Sequence, residues 1–284
     1  MLTLAIQKSG RLSEKTIALL KDCGVFFDNG GTVKLKTVST NFPLTLLFLR
    51  DDDIPECIDD EIADAGIVGE NIYLEKQKSL IIEEKLGFAK CRLSIAIPKN
   101  ETFDSIMDLR GKKIATTYPN ILNSFLGENK INAVIHEISG SVEIAPGIGL
   151  SDAIFDIVST GSTLLSNGLK EVHTVAYSEA VLIKNKRLTS AKEELLSKLL
   201  FRIRSVNKAR EYKYILLNAP DSAIDIICSI LPGIKSPTVM PLAQKGWSSL
   251  HSVIQQDDFW EIIEKLKIAG AEGILVIPIE QMIT

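Results

Sequence analysis

The stretch from Phe155 to Asn167, FDIVSTGSTLLSN, constrains the fold of this chain more than any other. Ile154 to Val158 reads as a short apolar strand interrupted by one acid, Asp156. Ser159-Thr160-Gly161-Ser162-Thr163 breaks that pattern, and Leu164 and Leu165 begin a helix. A strand, a small hydroxylated loop and a helix start bring N–H groups, hydroxyls and the positive end of a helix dipole to one place. That combination is an anion site. Gly161 lets the backbone approach closely or take a positive φ. Asp156 would repel a phosphate in the loop, but it suits the hydroxyls of a sugar attached to one, or a bound Mg²⁺. The same residues also read as a Ser/Thr-rich turn capping a helix. On the loop alone the two readings stand level.

A chain of 284 residues can hold two or three domains with real cores. Its net charge of −4 and the lack of a basic block argue against nucleic-acid binding. The opening MLTLAIQKSGRLSE lacks the features of an export signal, and no apolar run is long enough to span a membrane. Cys23, Cys57, Cys91 and Cys228 are scattered without a CxxC, and His136, His173 and His251 stand alone. The expectation is a cytoplasmic protein with reduced thiols, no zinc, and neither membrane nor nucleic acid as partner.

Taken in order, Leu2 to Ile6 is an apolar strand, followed by Lys8, Gly10 and Arg11. Ser13 is expected to cap a helix with Leu12 as its staple, Ile17 and Leu20 on the apolar side, and a stop at Gly24. Lys8 and Arg11 therefore sit at the carboxyl end of a strand, where open α/β sheets bind ligands, although a cation there could equally be solvated. Val33 to Val38 and Leu44 to Leu49 read as strands, the second ending in Arg50, a fork for phosphate or carboxylate. Asp51, Asp52 and Asp53 suit the positive end of a following helix. Ala63 to Gly69 is a further strand, with Glu70 and Asn71 leading into a helix. Arg92 to Pro98, the turn and strand from Leu109 to Thr117, the helix opened by Tyr118-Pro119-Asn120, and Ala133 to Ile138 continue the β-loop-α pattern of an α/β protein. Gly147-Ile148-Gly149 starts like a dinucleotide motif but ends in Asp152 without a strand before it, and there is no P-loop.

Val172 to Ala176 and Ala180 to Ile183 are strands, and Ser190 begins a long helix with Leu195, Leu196, Leu199, Ile203 and Val206 on one face. Beyond it come a strand Tyr214 to Leu217, a helix Pro220 to Ile230, and strands Ser236 to Met240 and Ser249 to Ile254. A helix started by a capping-box-like Asp258 and Glu261 carries Phe259, Ile262, Ile263 and Leu266, before a last strand from Gly273 to Ile277. The order βαββαβ is the ferredoxin-like split unit, used for small-ligand regulation and oligomer contacts.

These pieces resemble the long-form ATP phosphoribosyltransferase family, the first enzymes of histidine biosynthesis. The resemblance runs through IQKSGRLSEK, LFLRDDDIPE, DAGIVGEN, LGFAKCRLSIAIP, ATTYPN, HEISGSVEIAPGIGL and DIVSTGSTLLSNGL, and on to SPTVMPL and GWSSLHSVI. It covers nearly the whole chain. It implies an α/β fold with a two-lobed, periplasmic-binding-protein-like catalytic part and a C-terminal ferredoxin-like βαββαβ regulatory domain. Lobe I would be residues 1–90 and 176–190, lobe II 91–175, and the regulatory domain 191–284.

By the same resemblance, Asp156, Ser159, Thr160, Gly161, Ser162 and Thr163 hold the ribose 5-phosphate of phosphoribosyl pyrophosphate, with Glu143 as a second acid for ribose or metal. Lys8, Arg11, Arg50, Glu70, Asn71 and Tyr118 would line the cleft for triphosphate, pyrophosphate and adenine. Mg²⁺ is the implied cofactor, its ligands left open, and ATP and phosphoribosyl pyrophosphate are the substrates. Histidine is the implied inhibitor, bound by Asn218, Asp221, Ser236 and Thr238, with Ala271 leaving room beside the last strand. A homo-oligomer, most simply a hexamer, is expected, with an apolar helix face at Phe259, Ile263 and Leu266 exposed for it.

Three other readings compete with this one. A solute-binding protein would share two lobes but carry an export signal. A transcriptional effector would need a DNA-binding module, and no basic helix-turn-helix pattern is present. A catalytically dead regulatory subunit would show a decayed loop, whereas residues 159–163 are intact.

Overall fold

The computed structural model describes residues 1–27, 35–231, 233 and 236–283. The chain divides into two compact units, Met1–Ala18 with Val25–Leu196, and Leu19–Gly24 with Ser197–Thr284.

The first unit holds two sheets. Strand β1 (Leu2–Gln7) leads into α1 (Arg11–Asp22), then β2 (Lys36–Val38), β3 (Leu44–Leu49), α2 (Ile54–Asp59), β4 (Ala65–Gly69), α3 (Glu70–Lys76) and β5 (Ile81–Lys85). The chain then enters a second lobe: β6 (Cys91–Pro98), β7 (Lys113–Thr116), α4 (Pro119–Glu128), β8 (Val134–Glu137), β9 (Ala153–Val158), α5 (Ser162–Ser166) and β10 (Leu169–Ser178). It returns as β11 (Ala180–Lys184), antiparallel between β4 and β5. Among the described residues the sheet orders are β2-β3-β1-β4-β11-β5 and β10-β6-β9-β7-β8. This is a two-lobed α/β architecture of the periplasmic-binding-protein kind.

The central strands are apolar on both faces, as covered parallel strands must be. Leu2, Leu4, Ala5 and Ile6 of β1 and Ala65, Ile67 and Val68 of β4 are fully buried. Gly66 is required between them. A Cβ there would lie 2.6 Å from Ile54 and 3.0 Å from the Ala5 carbonyl oxygen, so α2 can pack only on a bare backbone. Because β3, β1 and β4 run parallel, their carboxyl ends form one edge carrying Arg50, Lys8 and Glu70. In the second lobe β8, β7 and β9 are likewise parallel, and their ends lead into residues 138–143, Tyr118 and Ser159.

Several local expectations give way. Helix α1 starts at Arg11, so Ser13 does not cap it but lies buried inside its first turn. Ile17 is exposed, while Ser13, Thr16 and Leu20 occupy the buried stripe. Two polar residues hold inner positions, and apolar spacing alone therefore misplaced the helix phase. The strand expected from Val33 is seen as Lys36–Val38, and Val33 and Lys34 lie outside the described residues.

The second unit receives the chain along α6 (Ser190–Arg210), whose Leu199, Ile203 and Val206 are buried. It continues with β12 (Tyr212–Pro220), α7 (Ile224–Ile230), β13 (Thr238–Pro241), β14 (Trp247–Gln255), α8 (Phe259–Ile268) and β15 (Glu272–Pro278). The sheet is antiparallel in the order β13-β14-β12-β15, the ferredoxin-like arrangement. Ile215, Leu217 and Ala219 on its inner face pack with Ile227, Ile262 and Leu266 of the two helices. Pro220 ends β12 instead of starting a helix, and a 3-10 turn at Asp221–Ala223 precedes α7. Asp258 stands at the N-cap of α8 with near-helical φ of −86°, so its side chain makes no cap bond and the capping box does not form. The apolar face expected to be exposed is also corrected. Leu266 is fully buried and Ile263 packs partly against the same core. The exposed apolar groups are Trp260 and Ile268 of α8 and Leu275 and Ile277 of the edge strand β15. No helix among the described residues is long and apolar enough to cross a membrane.

Candidate active site

On the first lobe, Lys8 and Arg50 follow the ends of the adjacent parallel strands β1 and β3, and Arg11 opens the helix after β1. The Lys8 N–H donates to the Leu49 carbonyl at 2.8 Å, which ties the end of β1 to the end of β3 and sets Lys8 beside Arg50. Gly10 turns the chain with a φ of +94°, so that α1 can begin at Arg11. Lys8, Arg11 and Arg50 are all exposed. Glu70 is engaged differently: Lys85 lies 2.9 Å from each of its carboxylate oxygens.

Asn71 is buried and fully engaged. The Ser178 hydroxyl donates to its Oδ1 at 3.0 Å and accepts from its backbone N–H at 3.0 Å, while its Nδ2 donates to the Tyr118 hydroxyl at 3.2 Å. Tyr118 belongs to the second lobe and precedes α4, so this contact joins the two strand-end edges. Burial pushes the Tyr118 hydroxyl well above its ordinary pKa. The charges of Asp156 in its own lobe and Asp51 in the other push in the same direction.

Asp156 is half-buried on β9 and accepts the Ile157 N–H at 2.7 Å. Burial raises its pKa to about 6, and the negative charge of Glu143, in the 3-10 turn Val142–Ile144, adds to the rise. The loop begins immediately after this strand. Gly161 takes a φ of +80°, the hydroxyls of Thr160 and Ser162 are 3.0 Å apart, and Ser159, Thr160, Ser162 and Thr163 are exposed. The result is a hydroxyl-rich loop next to an acid that is reluctant to ionise. Such a place can take an anion on the loop and hydroxyl donors on Asp156.

Three side chains here escaped the sequence reading. Arg92 of β6 donates to the Ser159 carbonyl at 3.2 Å, Glu171 of β10 grips that guanidinium, and Glu75 of α3 contacts the start of α4. Charges at the start of the apolar strand from Arg92 and just before the one read from Val172 were a visible signal for the first two. Their pairing was not visible, because it depends on strand order.

In the second unit, Asn218 of β12 pairs with Ser249 and Glu272, and a Cβ on Gly273 would lie 3.4 Å from its Nδ2. Asp221 accepts the Ser248 hydroxyl at 2.7 Å. Thr238 starts β13 opposite His251, and both Ser236 and Thr238 are exposed. Ala271 is buried among core side chains, so it offers small size and no polar contact. His251 is not isolated. Its Nδ1 lies 2.6 Å from the Tyr214 hydroxyl and its Nε2 lies 3.2 Å from that of Ser249.

Comparison with known proteins agrees with this architecture. The family model for ATP phosphoribosyltransferase matches residues 50–205, and that for the HisG C-terminal domain matches residues 209–281. An ATP phosphoribosyltransferase of Cytophaga hutchinsonii is 60% identical over 283 residues, covering 100% of this chain and 99% of that protein. One from Bacteroides thetaiotaomicron is 54% identical over 283 residues, covering 100% of both. Among solved structures, the ATP phosphoribosyl transferase (HisG:HisZ) complex from Thermotoga maritima aligns with a TM-score of 0.61 at 31% identity, covering 72% of this chain and 99% of that one. With a catalytic and a C-terminal model matched in tandem and relatives aligned end to end, the chain belongs to the ATP phosphoribosyltransferase family of pentosyl-transferring enzymes, in its long form.

Proposed function

We propose that this protein transfers the phosphoribosyl group of phosphoribosyl pyrophosphate to N1 of ATP and releases pyrophosphate, as the first step of histidine biosynthesis in the cytoplasm. One observation carries the reading. The strand-end edge of one lobe holds Lys8, Arg11 and Arg50, and that of the other holds Asp156 and the loop 159–163, with Asn71 and Tyr118 joining them.

The chemistry asks for these parts. The bond from ribose C1 to pyrophosphate breaks as the bond from C1 to adenine N1 forms. Positive charge grows on the sugar ring and negative charge on the departing group. Residues 159–163 hold the 5-phosphate, and Asp156 accepts hydrogen bonds from the ribose hydroxyls, keeping C1 in line with the nucleophile. Lys8, Arg11 and Arg50 stabilise the triphosphate and the leaving pyrophosphate. Glu70, Asn71 and Tyr118 shape the adenine side. Adenine N1 attacks with its own lone pair, so no strong general base is required.

Mg²⁺ fits this site as a shared ion. Among the described residues no group of three or more candidate ligands is gathered, but Asp156 and Glu143 form a mutually repelling pair of acids. Mg²⁺ is commonly held by one or two carboxylates plus substrate phosphates and water, so these two would hold it. When bound it supplies positive charge to the leaving group.

The second unit serves regulation and assembly in this proposal. Asn218, Asp221, Ser236 and Thr238 bind histidine as a feedback inhibitor, with Ala271 providing space. Apolar groups on α8 and β15 support a homohexamer. The decisive test is pyrophosphate release by the purified protein: it should require ATP and phosphoribosyl pyrophosphate together. Release from either substrate alone, or none with both, would overturn the assignment.

A further inference from the structure

We propose that Arg92, clamped by Glu171, is the positioning residue of the phosphate loop: it fixes the Ser159 carbonyl and thereby orients the Thr160 N–H toward the bound 5-phosphate. This rests on the reading of residues 159–163 as the phosphate site.

Arg92 and Glu171 stand on the antiparallel neighbours β6 and β10. The Arg92 Nε donates to Glu171 Oε1 at 2.6 Å and its Nη2 to Oε2 at 2.5 Å, a bidentate fork. The same Oε1 accepts the Ser94 hydroxyl at 2.7 Å and that of Thr174 at 3.2 Å. The Arg92 hydrogen bond holds the Glu171 carboxyl down at about 2, against partial burial that would raise it. The carboxylate is thus fixed by four donors, and it fixes the plane of the guanidinium in turn. Nη1 remains to reach past the end of β9 to the Ser159 carbonyl at 3.2 Å. A trans peptide is planar, with its C=O and N–H pointing to opposite sides. Pinning the Ser159 oxygen toward Arg92 therefore turns the Thr160 N–H away from it, at the first peptide of the loop.

The pair has a positioning task besides any stabilising one. Its side chains are 30% and 24% exposed and the fork is bidentate, so it adds to stability as well, and the substrate-selective readout below separates the two contributions. Fixing the loop is a different task, because a preformed donor need not be ordered when the substrate arrives.

The test uses Arg92→Gln, Arg92→Lys and Glu171→Gln in the full chain, with Thr163→Val as the reference for the loop itself. Steady-state constants for both substrates, circular dichroism and melting temperature are measured. Arg92→Gln should raise KM for phosphoribosyl pyrophosphate about ten-fold, the loss of one charge-assisted hydrogen bond, and leave KM for ATP within about two-fold. Arg92→Lys should do the same, since an ammonium lacks the planar fork that grips both Glu171 oxygens while a third nitrogen reaches Ser159. Glu171→Gln should fall between wild type and Arg92→Gln. Equal weakening of both substrates, or a lowered melting temperature without the selective change, would overturn the proposal. If Thr163→Val raises this KM and Arg92→Gln does not, the loop is the phosphate site but Arg92 does not position it. If neither variant has an effect, the phosphate-site reading falls and the proposal with it. Should Arg92→Gln fail to fold, the nearly isosteric Glu171→Gln decides, and an unchanged KM there counts against the proposal.

Discussion

Glu75, on α3 of one lobe, caps the first turn of α4 in the other: its carboxylate accepts the backbone N–H of Asn120 at 2.9 Å and that of Ile121 at 3.0 Å. The contact is reciprocal, since Asn120 Nδ2 donates to the Glu75 carbonyl at 2.9 Å. The helix needs an outside partner. Tyr118 at its N-cap offers no side-chain cap bond, and Pro119 has no N–H to satisfy. Glu75 is buried, and burial raises its carboxyl pKa even though the two N–H groups pull it down. The cap thus sits where burial disfavours its charge, and it joins the two lobes.

The first prediction follows from that contact. Glu75→Ala leaves two N–H groups without their acceptor and should destabilise the protein by about 1–3 kcal/mol, whereas Glu75→Gln keeps one acceptor oxygen and should cost less. Urea denaturation of the three proteins measures the difference. Equal stability of Glu75→Ala and wild type would mean that the cap contributes nothing.

A second prediction concerns Asp156, whose pKa in the folded protein is raised from 3.8 to about 6. The folded state binds this proton more tightly than the unfolded chain does. Its contribution to stability is therefore fully present below about pH 4 and is lost as pH rises through about 6. Asp156→Asn removes that dependence and should stabilise the protein at pH 7 by an amount on the order of 2 kcal/mol. Turnover should nevertheless fall severely, by roughly 2–4 kcal/mol in the barrier, because a contact made mainly in the transition state is lost. In wild type, activity should drop as pH falls through about 6. Melting curves and rates from pH 4 to pH 8 test both parts. A variant that is less stable than wild type at pH 7, yet fully active, would contradict them.

How much of this was legible in the chain depends on the distance over which each feature is built. The strand, loop and helix of 154–167 lie in one continuous stretch, and their switch of periodicity is visible residue by residue. The ferredoxin-like unit was legible from its βαββαβ element order, although its sheet interleaves the strands as β13-β14-β12-β15. Helix α1 was misphased because Ser13 and Thr16 occupy buried positions that apolar counting treats as solvent-facing. Asp258 has the residue type of a cap but not its backbone conformation. Arg92 with Glu171 and Glu75 with Asn120 are 79 and 45 residues apart. No local pattern encodes those pairs, since they exist only once β6 lies beside β10 and the two lobes meet.

Assembly supplies the third prediction. β15 is an edge strand on which Leu275 and Ile277 are exposed, and α8 exposes Trp260. Leaving that much apolar surface in water is unfavourable, and an unpaired edge is a template for another chain. The wild type should therefore scatter light as an oligomer, and as a hexamer if the proposed assembly holds. Leu275→Asp should shift it to smaller species while leaving the circular dichroism spectrum unchanged. Monomeric wild type at working concentration would refute the assembly proposal.

The last prediction is feedback inhibition through the second unit. Thr238 begins β13 with its side chain exposed, in register with His251 of β14, while Asn218 and Asp221 lie at and just beyond the far end of β12. A zwitterionic amino acid needs an acid for its ammonium and donors for its carboxylate, and Asp221 and the hydroxyls of Ser236 and Thr238 supply both kinds of group. Thr238 belongs to one compact unit and Asp156 to the other. Histidine bound at Thr238 is proposed to lower turnover by binding more tightly to a less active arrangement of the same protein. Thr238→Val keeps the shape of the side chain and removes the hydroxyl. It should weaken histidine binding by about ten-fold, the value of one hydrogen bond of about 1.4 kcal/mol. Uninhibited turnover should stay near that of wild type. Calorimetry with histidine and rates with and without it separate the outcomes. Should wild type bind no histidine, the second unit serves assembly alone; should Thr238→Val bind it as tightly as wild type, the ligand lies elsewhere on that unit.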